Sequence, residues 1–190
     1  MPTRFTSGLR SNAMRGVLLL AALVWLAPYW AGVAVSARSP EPHAPLGQFS
    51  TEFNTKEKNR SHNIRLAATA INRYVVPPGA TFSYNYVVGD TNKARGYKKS
   101  TIFIKGEKFT SYGGGVCQVS TTLYNAAARA GMTIVERHDH SRPVPYAKAG
   151  QEAATSYGGI DFKFTNTLPF PIMITSYVEK GTVSVALHAL

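Results

Sequence analysis

The chain has 190 residues, 44% of them hydrophobic, a formal net charge of +11 and a single cysteine. That length gives one compact domain with a core of its own and excludes two well-separated domains. A lone cysteine excludes an internal disulfide framework, and the absence of a recognised nucleic-acid motif turns the positive charge toward anionic surroundings other than DNA or RNA.

Residues 1–15, MPTRFTSGLRSNAMR, carry Arg4, Arg10 and Arg15 and no acid, and residues 16–35, GVLLLAALVWLAPYWAGVAV, carry no charge at all. A basic flank ahead of an apolar run is an export signal. Val35-Ser36-Ala37 offers the small residues that a signal peptidase accepts, and the apolar run is also long enough to span a bilayer, so residues 1–37 read as a signal peptide or a membrane anchor. In either form the rest of the chain is expected outside the cytoplasm, secreted or held on the cytoplasmic membrane. There the lone thiol is free, bridged to another molecule or buried as a small hydrophobe, and the basic domain is drawn to anionic wall polymers and lipid head groups.

Residues 38–48, RSPEPHAPLGQ, read as a proline-rich linker, and the folded domain is expected over 49–190. In SHNIRLAATAINRYVV, Ser61 is a candidate N-cap and Ile64, Ala67, Ala68 and Ile71 share one helix face, with Pro77-Pro78-Gly79 stopping the helix. The pattern then turns β-like: a strand over 80–88, a second over 101–105, a turn at Gly106-Glu107 and a third over 108–112. A second helix is expected from Cys117 to Ala130 with Gly131 beyond its end. It would bury Val119, Leu123, Ala126, Ala127 and Ala130 and leave Gln118, Thr121, Thr122 and Asn125 on a polar side. Strands follow over 132–138, 159–166 and 170–179, the last turning at Glu179-Lys180-Gly181 into TVSVALHAL. The order predicts an α+β fold, a single domain of two main helices packed on an antiparallel β-sheet, preceded by the hydrophobic export or anchor segment.

The chemistry concentrates in SYGGGVCQ, where Gly113, Gly114 and Gly115 lead into Cys117 at the mouth of the second helix. Free amides at a helix N-terminus favour negative charge, so they favour the thiolate, which is the reactive form. The glycines leave room for a substrate carbonyl, and their N–H groups with that of Cys117 could form an oxyanion hole worth roughly 3 to 4 kcal/mol per donor. The plain alternative is a buried hydrophobic cysteine after a tight packing turn. A thiolate nucleophile needs a base. His43 in the linker, His62 at the first helix and His188 near the C-terminus are poorly placed, whereas His138 and His140 of RHDHS share one face if the strand continues. Spacing does not choose between those two. Glu152 and Asp161 are the acids that could orient the imidazole. Cys117, His138 and His140 also form one sulfur and two nitrogens suited to zinc, although neither a second cysteine nor an HExxH helix accompanies them; no metal or other cofactor is expected. Tyr84, Tyr86, Tyr97, Tyr112, Tyr124, Tyr146 and Tyr157 could line a saccharide or peptide groove, or pack between strands.

From about Phe49 to Leu187 the chain resembles the VanW-like family, through FNTKEKNRSHNIRLAATAIN, VPPGATFSYN, YGGGVCQVSTTLYN, ERHDHSRPVPY and DFKFTNTLPFPI. The resemblance implies L,D-transpeptidase-like crosslinking of peptidoglycan stem peptides through a cysteine thioester, with an L,D-carboxypeptidase side activity where water replaces the acceptor amine. It favours His140, within His140-Ser141, over His138 as base. Crosslinks to tetrapeptide stems would avoid the D-Ala-D-Ala end that vancomycin binds, a link to glycopeptide tolerance. One departure stands out: where the family pattern reads glycine, any residue, aspartate, alanine and threonine, this chain has Gly150-Gln151-Glu152-Ala153-Ala154-Thr155. The rival expectation is a non-catalytic wall-binding accessory module in which Lys93, Arg95, Lys98 and Lys99 grip anionic polymer and Cys117 is structural.

Overall fold

The computed structural model describes residues 44–104 and 107–190. The expected export segment, its arginines, His43 and Gly106 lie outside the described residues. Among the described residues no helix is long and apolar enough to cross a membrane.

The architecture is α+β. Strands β1 (Gly47–Glu52), β9 (Thr182–Ala189), β8 (Ile172–Glu179) and β2 (Tyr74–Val76) make an antiparallel sheet in the order β1-β9-β8-β2. Val183, Val185 and Leu187 of β9 and Ile172 and Ile174 of β8 fall on one face at the period of two and are fully buried there. Helices α1 (Lys58–Ile71) and α3 (Val116–Arg129) cover that face, α1 against β8 and α3 against β1 and β9. A second sheet, β3-β7-β6, joins Thr81–Ser83, Lys163–Thr165 and Thr133–Glu136, and its Phe82 and Phe164 stack at 5.1 Å between ring centroids. The hairpin of β4 (Lys99–Ile104) and β5 (Glu107–Tyr112) stands apart from both sheets.

The apolar face expected of the first helix is the one buried, with Ile64, Ala67, Ala68 and Ile71 at 2% exposure or less. Its start differs. Asn54 accepts Lys56 N–H on its side chain and Glu57 N–H on its carbonyl, a turn that launches the helix at Lys58, so Ser61 lies inside it and is no cap. At the other end the helix stops at Ile71, and Tyr74–Val76 leave it to pair with β8.

The strand expected over residues 80–88 is broken after three residues. Tyr84–Val88 form a short helix, α2. The β-forming tyrosines and valines are overruled by caps: Ser83 Oγ accepts Tyr86 N–H at 3.1 Å, and Asp161 accepts Asn85 N–H at 2.8 Å and the Ser83 hydroxyl at 2.6 Å. Two strands are shorter than their patterns predict, since β6 ends at Glu136 and β7 begins at Lys163. The hairpin falls where expected, but Glu107 belongs to β5 and not to its turn. The linker runs out earlier than residue 48, because Gly47 and Gln48 already pair with Leu187 and Ala186 of β9.

The larger correction concerns α3. Val119, Leu123, Ala126 and Ala127 are buried as expected, yet Gln118, Thr121 and Thr122 are fully buried too and Asn125 nearly so. These polar groups do not face water. Each holds a neighbouring segment by hydrogen bonds, which is what makes their burial tolerable.

Candidate active site

On one flank of α3, Gln118 Nε2 donates to Thr51 Oγ1 and to the Glu52 carbonyl, both at 2.9 Å, while the Thr51 and Thr122 hydroxyls meet at 2.8 Å. This fixes β1. On the other flank, Ser120 Oγ donates to the Ala153 carbonyl at 2.6 Å, Ala153 N–H donates to Thr121 Oγ1 at 3.0 Å, and Asn125 Nδ2 donates to the Gln151 carbonyl at 2.8 Å. Three successive residues, 151–153, are thereby laid along α3. Ala154 N–H then donates to the His138 carbonyl at 2.8 Å, and Arg137 donates to the Glu152 carbonyl at 2.8 Å. The two segments 137–140 and 151–155 are drawn together above the first turn of α3, where Cys117 sits.

Glu152, buried with a side chain 5% exposed, accepts the His140 main-chain N–H at 2.9 Å. The same Oε2 lies 3.4 Å from His140 Nδ1, a charge contact that lacks hydrogen-bond geometry. On the far side of the ring, Nε2 is 3.4 Å from the Tyr146 hydroxyl, and the two rings meet edge to face. Cys117 retains partial exposure, with Sγ 3.3 Å from the Thr155 carbonyl and 3.8 Å from Thr155 Oγ1.

Burial pushes the Cys117 thiol up, but the neighbouring His140 imidazole, which favours the anion, outweighs it, and the net direction is down. The Thr155 carbonyl accepts only from the neutral S–H, so His140 is the group we hold responsible. For His140 burial acts downward, and the thiolate of Cys117 followed by the carboxylate of Glu152 reverses it to a net rise. The two directions agree: the neighbours favour a thiolate beside an imidazolium, with Glu152 behind the imidazolium. Tyr146 is pushed the other way, its phenol held protonated first by burial and then by the Cys117 charge. Beside an imidazolium its oxygen accepts from His140 Nε2–H.

The helix start is built as the sequence implies, though the glycines serve packing more than access. Gly115 is the N-cap residue of α3 at φ 105°, in the left-handed region where a side chain is strained. A Cβ on Gly114 would strike Ser100 Oγ and the Thr101 carbonyl of β4, and one on Gly113 would strike Thr91. Both glycines are buried, so they do not form an open substrate loop. The Gly113 and Gly115 carbonyls accept Val116 and Gln118 N–H. Among the described residues the Cys117 N–H, like those of Gly114 and Gly115, has no such partner.

His138 and Asp161 go elsewhere. Because β6 ends at Glu136, the alternation that would have put both histidines on one face does not continue; His138 Nε2 meets Glu136 Oε1 at 3.0 Å, within a surface cluster that includes Lys163. Asp161 spends its oxygens on Ser83, Asn85 and Phe162 as the cap of α2. His62 and His188 hold Gly96 and Thr175, away from the thiol. The described residues contain no group of three His, Cys, Asp or Glu side chains arranged to hold a metal ion, so the Cys117, His138 and His140 zinc set is not assembled. Tyr146, expected only as one of several groove tyrosines, and Thr155, expected only as the end of the family pattern, join the site, and so does Arg60, to which the sequence assigned no role. Arg60 donates to Gln118 Oε1 at 2.7 Å, and its guanidinium lies 5.8 Å from the Tyr146 ring centre. Tyr146 closes the ERHDHSRPVPY stretch and Thr155 closes the glycine-to-threonine pattern, whereas nothing in the local sequence marks a role for Arg60.

A helix-mounted cysteine beside a histidine backed by a buried glutamate defines an α+β domain with a cysteine–histidine–glutamate constellation. The family model described as VanW like protein matches residues 59–188, and the chain belongs to that family. It is 48% identical over 144 residues to the uncharacterized protein YoaR of Bacillus subtilis (strain 168), covering 76% of this chain and 48% of that protein. It is 33% identical over 115 residues to the vancomycin B-type resistance protein VanW of Enterococcus faecalis (strain ATCC 700802 / V583), covering 58% of this chain and 42% of that protein. The chain thus spans less than half the length of these two relatives. No solved structure matches it.

Proposed function

We propose that this domain performs cysteine-dependent acyl transfer on peptidoglycan stem peptides outside the cytoplasm, as an L,D-transpeptidase-like enzyme. The observation that carries the reading is the meeting of Cys117, His140 and Glu152 at the N-terminus of α3. Cys117 thiolate attacks the carbonyl of the third residue of a donor tetrapeptide, and the Cys117 N–H donates a hydrogen bond to the developing oxyanion. The C–N bond to the terminal D-alanine breaks as imidazolium His140 gives its proton to the leaving amine, which leaves a thioester. The side-chain amine of an acceptor stem then attacks the thioester; neutral His140 takes the amine's proton, the new amide forms and the Cys117 thiolate leaves. Water in place of the amine gives a tripeptide product. Glu152 acts through His140, holding its main chain and its charge.

The full-length protein, reduced and mixed with disaccharide-tetrapeptide fragments, is to be followed by intact-protein and product mass spectrometry beside Cys117→Ala. A thioester on the native chain with 3-3 crosslinked dimers or tripeptide, all absent in the variant, is the expected result. Equal fragment binding by both proteins with no covalent species or product would instead support the wall-binding accessory module.

A further inference from the structure

A cavity of about 370 Å³ opens between the amino end of α1 and strand β4, and Lys56, Lys58, Arg60, Lys99, Ser100 and Thr101 line it. Glu57 is the single acid on its wall. Among the described residues none of these four cations takes part in an ion pair, so the wall brings like charges together without compensating them. That arrangement costs energy in the empty cavity and is relieved by an anion.

The cavity adjoins the thiol site. Ser100 Oγ donates to the Gly114 carbonyl at 3.2 Å, and the contacts that exclude a Cβ at Gly114 are to Ser100 and Thr101. Its wall is thus the outer side of the glycine turn that leads into Cys117. Arg60 is shared by both places: it lines the cavity and also reaches Gln118 and the ring of Tyr146, whose hydroxyl faces His140. The walls are also fixed. Asn59 Nδ2 holds the Lys99 carbonyl at 3.0 Å, and Asn63 Nδ2 holds the Lys98 carbonyl at 2.9 Å and the Gly114 carbonyl at 3.1 Å.

We propose that this basic cavity is a carboxylate subsite for the peptide whose carbonyl reacts at Cys117. The inference rests on the acyl-transfer reading for the identity of the peptide, and on the cavity alone for its charge. A stem tetrapeptide carries carboxylates within a residue or two of the scissile carbonyl, and an extended residue spans about 3.5 Å, so one anchored carboxylate restricts where that carbonyl lies. Lys58 and Lys99, both exposed, supply mobile ammonium donors, and Arg60 supplies a fixed guanidinium.

The test measures binding, with no turnover, on the full-length Cys117→Ala protein titrated with stem tetrapeptide and with two analogues, one amidated at the C-terminus and one amidated at the glutamate α-carboxylate. Removing two cavity charges by Lys58→Gln with Lys99→Gln is expected to weaken the tetrapeptide about tenfold or more, the size of one charge-assisted hydrogen bond or larger. One amidated analogue should bind the parent protein as weakly as the acid binds the lysine variant, with no further loss on combining the two changes; which analogue does so identifies the carboxylate. Lys180→Gln, which removes the same charge at the β8–β9 turn, should leave affinity unchanged. The proposal is overturned if the tetrapeptide does not bind, if acid and amides bind parent and variant alike, or if Lys180→Gln weakens binding equally. Because no thioester is needed, carboxylate-dependent binding without acylation of the native chain would sink the acyl-transfer reading and leave the subsite. Acylation with no dependence on Lys58 and Lys99 would do the reverse.

Discussion

Replacing Glu152 with glutamine removes one charge from a side chain that approaches His140 at two points, 2.9 Å from its main-chain nitrogen and 3.4 Å from Nδ1, while keeping size and one acceptor oxygen. The side chains are 5% and 16% exposed, so little water replaces what is lost. Coulomb attraction at 3.4 Å with an effective dielectric of about 20 is about 5 kcal/mol. The net loss is smaller, because the amide oxygen still accepts and a hydrogen bond to a charged group contributes about 1.5–3 kcal/mol. At about 1.4 kcal/mol per factor of ten, the thiolate–imidazolium pair falls about ten- to a hundredfold relative to the neutral pair. The sign follows from the charge removed: the imidazolium loses its anion, His140 gives up its proton more readily, and Cys117 loses the cation that held its thiol down. The assay is the rate of Cys117 alkylation by iodoacetamide against pH, read by intact mass. At pH 6 the Glu152→Gln protein should react about ten- to a hundredfold more slowly than the native one, and the two should converge at high pH where both thiols are ionised. Coincident profiles in two equally folded proteins would refute the role of Glu152. So would a His138→Ala profile displaced as far as that of His140→Ala, since His138 faces Glu136 and should leave the thiol unchanged.

Gly114→Ala should cost about 1–3 kcal/mol in denaturant unfolding, because its Cβ has no room against Ser100 and Thr101; a change within about 0.5 kcal/mol would contradict the tight turn. Gln118→Ala takes the Nε2 donor from Thr51 Oγ1 and the Glu52 carbonyl and removes the acceptor of Arg60, so a loss of about 1–3 kcal/mol is expected in the same assay. Glu136 is held at about 2, first by the Lys163 ammonium and then by Asp161 N–H, down from the ordinary 4.5. A depressed carboxylate stabilises the fold above its unfolded value and loses that contribution as pH falls toward the folded one. Melting temperature should therefore fall between pH 4.5 and 2 more steeply in the native protein than in Glu136→Gln, and parallel curves would count against the cluster.

How much of this was legible beforehand depends on the range over which each feature is decided. The apolar stripes of α1 and α3, the glycine turn before Cys117 and the β4–β5 hairpin follow from residues within a few positions of each other, and they stand where the pattern put them. The polar stripe of α3 misled, because a helix face reads the same whether water or another segment satisfies it. Gln151 and Ala153 satisfy Asn125 and Thr121, 26 and 32 positions away along the chain, and Thr51 and Glu52 satisfy Gln118 and Thr122, 66 to 71 positions away.

By itself the sequence determined that this is an α+β chain of the VanW type whose lone thiol opens a helix, since periodicity, glycine placement and motif spacing are local properties. The family pattern already favoured His140 over His138, but only the tertiary structure sent His138 to Glu136, and decided that Glu152 backs His140 while Asp161 caps α2. The reason is physical: β6 ends one residue before Arg137, and the hydrogen bond that commits Asp161 reaches 78 positions back to Ser83. A side chain's partner is settled by which distant segment satisfies its hydrogen bonds, and that competition is resolved only when the whole domain has packed.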